Sequence, residues 1–110
     1  MTQEQMIELA RRAVACKGWR WMPGMRWWTE DDRGRLDDFQ PEYMGRPPGA
    51  LPDLTDPATL GCLLALVRAA YGDGMIGPER DYWALEVRFY WYYGPSEPDV
   101  LVQALEAAPQ

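Results

Sequence analysis

A chain of 110 residues is the size of one domain, and a chain this long buries roughly two thirds of its unfolded surface on folding, enough for one core. Seventeen acids against eleven bases give a net charge of −6, which speaks against a protein that coats nucleic acid, because phosphate contacts need clustered cations. With two cysteines and no histidine, Ser-His and Cys-His nucleophile systems and the usual zinc ligand sets are excluded.

The opening "MTQEQMIELARR" predicts a helix over 2–16. Thr2 and Gln5 have the spacing of a capping box, in which each side chain satisfies the other residue's amide. Met6, Leu9, Ala10 and Ala13 share one face, and Gly18 is placed to end the helix. This opening carries no hydrophobic signal core, and no apolar run reaches the ~18–20 residues of a membrane span, so a soluble, intracellular protein is expected.

Next comes "GWRWMPGMRWW", residues 18–28, with four tryptophans and two arginines. Trp19 and Trp21 alternate with Arg20 as in a half-buried strand, and Pro23-Gly24 interrupts it. Trp27 and Trp28 are neighbours, so an extended chain points them to opposite faces. One must leave the face of Trp19 and Trp21: a helix over the second face would bury both rings, and a partly bare second face would leave one available to a partner. "TEDDRGR" suits a hairpin loop, with a return strand near 35–39, and the proline-rich stretch at about 40–55 reads as an irregular excursion.

"TDPATLGCLLALVRAAYG" is the plainest helix, with Asp56 as cap, Pro57 in the first turn and Gly72 at the end. Its stripe is Leu60, Leu63, Leu64, Val67 and Tyr71. With Arg68 its one charge, it is expected to be buried on most sides. A turn region spans 73–81. "YWALEVRFYWY", 82–92, then reads as one long strand. Trp83, Leu85, Val87, Phe89 and Trp91 would face the core, with Ala84, Glu86, Arg88, Tyr90 and Tyr92 opposite. Ser96 caps a last helix bearing Leu101, Ala104, Leu105 and Ala108.

This order, α-β-β-α-β-α, gives a single α+β domain over residues 1–110: a small antiparallel sheet of about three strands with helices on both faces. The runs "LPDLTDPATLGCLLALVRAAYGD", "GPSEPDVLVQALEAAP" and "GWRWMPGM" are similar to small proteins of tailed phages and prophages grouped as a phage alpha/beta/alpha-sandwich domain. The resemblance covers most of the chain, 6–109, with the loop at 29–50 least matched. It implies a fold, a viral origin and hence a host cytoplasm, and it brings no catalytic residues.

Six aromatics, Trp27, Trp28, Tyr43, Tyr90, Tyr92 and Tyr93, exceed what one small core accommodates. Trp and Tyr dominate interface anchors, and single-stranded nucleic acid would also stack on them, but the net negative charge counts against that. The expected partner-binding set is Trp27, Trp28, Tyr43, Tyr90 and Tyr92 with Arg88, rimmed by the acids Glu30, Asp31 and Asp32. With Asp37 and Asp38, those acids could hold a hard cation, but their spacing matches no calcium loop. No metal, cofactor or catalytic residue is expected. The reading is a non-enzymatic phage accessory protein that binds and inhibits a host protein, such as a defence nuclease, a CRISPR effector or a polymerase. The alternative is a structural homodimer joined through a strand edge or the Tyr90/Tyr92 face.

Overall fold

In the structure, a computed structural model, residues 2–36, 46–88 and 90–108 are described. The α+β class holds, with three helices and two small antiparallel sheets where one was expected. Helix α1 spans Gln3–Ala15. The capping box forms: the Gln5 amide donates to Thr2 Oγ1 at 3.1 Å and the Thr2 amide to Gln5 Oε1 at 2.8 Å. Leu9, Ala10 and Ala13 are buried. Gly18 is not the helix cap. The chain turns extended at Cys16, and Gly18 instead permits a close approach: a Cβ there would sit 3.2 Å from Leu105.

No strand forms at 18–25. Trp19 and Trp21 are half-buried and meet edge to face, centroids 5.4 Å apart. The Pro23-Gly24 turn, with Gly24 at φ +95°, prevents an extended run from continuing into the next strand. The first sheet is β1 (Arg26–Trp28) between β2 (Arg33–Arg35) and β3 (Leu51–Pro52). The return strand thus begins two residues earlier than expected. The excursion also contains a short strand, because Leu51 and Pro52 pair with Trp28 and Trp27. Residues 37–45 lie outside the described chain.

Helix α2, Pro57–Tyr71, is capped by Asp56 and closed by Gly72 in the left-handed conformation at φ 89°. It buries Thr59, Leu63, Leu66, Val67 and Tyr71. Leu60 and Leu64 are only half-buried, and Gly61, Ala65 and Ala69 are exposed, which corrects the expectation of burial on most sides. Small side chains raised the helix's apolar count without giving it a second packing face.

A bidentate pair ties this helix to the first sheet. Arg35 donates to both oxygens of Asp56 at 2.9 Å, and Asp56 also accepts from the Thr59 amide at 3.0 Å and hydroxyl at 2.9 Å. The Arg26 amide in turn donates to Thr59 Oγ1 at 2.8 Å. Hydrogen bonds from Arg35, then from Thr59, hold the Asp56 carboxyl well below the usual carboxylate range against the opposing effect of burial. A carboxyl that binds its proton less readily when folded contributes stability that is full above the unfolded value near ~4 and lost as pH falls below it. Asp56→Asn should therefore flatten the acid limb of a plot of Tm against pH. An acid limb as steep as the native one would show that this carboxylate is not what acid attacks.

The second sheet is β4 (Met75–Pro78), β5 (Trp83–Val87) and β6 (Tyr90–Gly94), with β5 central. Helix α3, Glu97–Glu106, touches α1, α2 and all three of these strands. Its buried residues, Pro98, Val100, Leu101, Val102, Ala104 and Leu105, make it the centre of the core. Ser96 Oγ donates to Asp99 Oδ2 at 2.7 Å instead of accepting from a helix amide. Arg12 of α1 is paired with Glu106 of α3 at 2.6 Å.

Candidate protein-binding face

The long strand expected at 82–92 is two strands joined by a tight turn. Val87 pairs with Tyr90, so the chain reverses within the two positions between them. Arg88 takes φ 46°, a left-handed value uncommon outside glycine, asparagine and aspartate. Its amide is held by Asp73 Oδ1 at 2.8 Å. Phe89, expected in the core, lies outside the described residues.

The turn reverses the side-chain parity. Directly paired residues in a sheet share a face, so the Val87–Tyr90 pair puts Tyr90, Tyr92 and Gly94 on the side of Val87, Leu85 and Trp83. Trp91 and Tyr93 pair with Glu86 and Ala84 and move to the opposite face. Trp91 is accordingly 54 % exposed, not core. Tyr92 is the one turned inward: it is half-buried, and its hydroxyl lies 3.2 Å from that of Tyr71. The Tyr71 hydroxyl donates to the Ala104 carbonyl at 2.7 Å, and burial pushes its pKa up. Tyr90 belongs to the inner side by parity, yet lies at the turn end of β6 and is 58 % exposed.

The outer face gathers what remains. Met75 pairs with Glu86 across β4–β5 and Glu86 with Trp91 across β5–β6, so Met75 and Trp91 lie on the same side, two strands apart with Glu86 between them. Met75 is 70 % exposed and Tyr93 is 55 % exposed. Trp91 and Tyr93 stack with planes 10° apart and centroids at 6.3 Å, and Tyr82 meets Tyr93 edge-on at 5.6 Å. The result is a row of three rings, Tyr82, Tyr93 and Trp91, with Met75 on the same face beyond Glu86. Soluble domains seldom leave such a cluster of large rings bare unless something binds there.

The other expected site residues are dispersed. Trp27 is only 6 % exposed, its ring packed over Gly34, and is no anchor. Trp28 is half-buried; its indole donates to the Pro52 carbonyl at 3.3 Å and lines a shallow cleft with Met6, Ile7 and Leu54. Glu30, Asp31 and Asp32 are exposed at the β1–β2 turn of the first sheet, on a different sheet from the aromatic row. Asp32 also holds that turn, its carboxylate accepting from the Arg33 amide at 2.8 Å. Tyr43 lies outside the described residues. Arg88 is exposed, with its guanidinium packed against Gly72, where a Cβ would meet it at 3.1 Å.

Met75, Tyr82 and Trp91 were missed by the sequence reading, and Tyr93 was noted without a place in the site. One signal was available. A run of thirteen strand-like residues, 82–94, is more than twice a usual strand, and so required a reversal inside it.

Among the described residues no group of three or more acids, cysteines or histidines could hold a metal, and no helix is long and apolar enough to cross a membrane. Cys16 and Cys62 are free and half-buried, and burial pushes both thiols up, away from the nucleophilic thiolate. Comparison with protein families, curated proteins and solved structures finds no match to this chain.

Proposed function

We propose that this chain is a small phage accessory protein that acts by binding a host protein, with the outer face of the second sheet as its contact surface. The observation that carries the binding reading is the exposed row of Trp91, Tyr93 and Tyr82, with Met75 on the same face. Rigid aromatic side chains of this kind are the usual anchors of protein interfaces. The viral part rests on the resemblance of the three quoted runs. Inhibition by occlusion fits a protein with an anchoring face and no nucleophile system. A defence nuclease, a CRISPR effector or a polymerase carries basic surfaces, toward which a chain of net charge −6 is attracted at long range.

The test is capture of a partner from bacterial host lysate by the tagged native chain, followed by titration of that partner with Trp91→Ala and Tyr93→Ala. Each should weaken binding by ~2 kcal/mol, about 30-fold, as interface anchors do. Stability should change by under ~1 kcal/mol, as at exposed sites. Undiminished binding by both variants would remove the outer face from the account.

A further inference from the structure

Among the described residues the two sheets end in four edge strands, β2 and β3 in the first and β4 and β6 in the second. Natural sheets protect exposed edges with short strands, charges, prolines or bulges, because open amides and carbonyls recruit other strands. Three of these edges are so protected. β2 is three residues long and two of them are arginine. β3 is two residues long and ends in Pro52. β4 ends in Pro78, with Asp73 and Glu79 flanking it. β6, Tyr-Trp-Tyr-Tyr-Gly, has five residues with no charge and no proline, and pairs residue for residue with β5 without a bulge. In an antiparallel ladder every second residue of an edge strand turns its amide and carbonyl outward. Among the described residues nothing hydrogen-bonds to that side of β6.

We propose that a second copy of this chain occupies the edge, its β6 running antiparallel to this one about a two-fold axis at Tyr92. The strand is self-complementary in that register. Trp91 comes opposite the other copy's Tyr93, both on the outer face, and this aromatic cross-strand pair occurs twice. An antiparallel pair of identical strands closes on itself, so it yields a dimer and not a fibre. The seam carries no charged side chain, so the net charge of −6 is not concentrated there. Tyr90, Trp91 and Tyr93 are each more than half exposed. At ~200 Å² for a whole aromatic side chain they offer on the order of 300 Å² per copy. With the backbone edge and its rim, both copies together bury on the order of 1,000 Å², the small end of interfaces that persist in solution. The dimer therefore dissociates on dilution.

This edge adjoins the outer face proposed for the host protein and shares Trp91 and Tyr93 with it, but the two readings fail separately: a chain monomeric at every concentration removes the dimer alone, and undiminished host binding by Trp91→Ala and Tyr93→Ala removes the host reading alone. Sedimentation of the native chain over a wide concentration range should show the average mass rising from one chain toward two. Met75→Lys, which alters the outer face on the far edge strand, should dimerise as the native chain does. Trp91→Lys, which charges the seam, should stay monomeric. Hydrogen exchange on the native chain needs no variant: the β6 amides should exchange more slowly at high concentration than at low. A native chain monomeric at every concentration, a dimer that survives Trp91→Lys, a dimer lost in Met75→Lys, or β6 exchange independent of concentration would each overturn the proposal.

Discussion

Replacing Trp27 with alanine should cost ~3–5 kcal/mol, as truncation of a buried aromatic does. The first sheet has strands of only three, three and two residues, too short to stand on backbone pairing alone. What holds it is the buried Trp27 ring, packed over Gly34, with Pro52 as the residue's partner on the other neighbouring strand. The fit is tight: a Cβ at Gly34 would come 2.6 Å from that ring. Gly34→Ala should thus destabilise by ~1–3 kcal/mol through overpacking. In the Trp27→Ala background the same change should cost much less, since the ring it strikes is gone. Chemical denaturation of the two single variants and the double variant measures all three values. A cost below ~1 kcal/mol for Trp27→Ala would mean that the first sheet does not depend on this ring.

The second large effect sits where α2 and α3 meet. Leu63 and Leu101 are both 0 % exposed, and truncating either to alanine should cost ~2–5 kcal/mol. Leu64 is a half-buried neighbour of Leu63, so Leu64→Ala should cost distinctly less. The difference between adjacent leucines reads out the rotation of α2, because one position turns a helix by 100°. Equal losses at 63 and 64 would place the buried stripe where the sequence pattern alone put it, on Leu60, Leu63 and Leu64.

Much of the helical frame was legible because helix signals are local. Thr2 with Gln5, and Asp56 with Pro57 and Gly72, mark their helix ends through contacts within a few residues. The sheets were harder because pairing is not local. β3 is two residues in a proline-rich stretch and exists only through its pairing with Trp27 and Trp28. β4 lies in "DGMIGP", whose two glycines and proline read as a turn. The costliest misreading was the parity of β6. The turn at Arg88 contains none of the glycine, asparagine or aspartate that usually marks such a reversal, and it is stabilised from outside by Asp73. One unseen reversal exchanged Trp91 for Tyr92 between core and surface. The candidate face was therefore present in the sequence as a composition, an excess of aromatics, but not as a set of positions.

The central claim is that the reversal at Arg88 brings Trp91 and Tyr93 out onto a bare sheet face with Met75. Hydroxyl-radical footprinting of the native chain, read residue by residue by mass spectrometry, tests it most directly, since aromatic and thioether side chains react according to their exposure. The account predicts strong modification of Met75, Trp91 and Tyr93, and protection of Met25 and Trp27, which are 0 % and 6 % exposed. Strong modification of Tyr92 with protection of Trp91 would restore the single long strand and contradict the account.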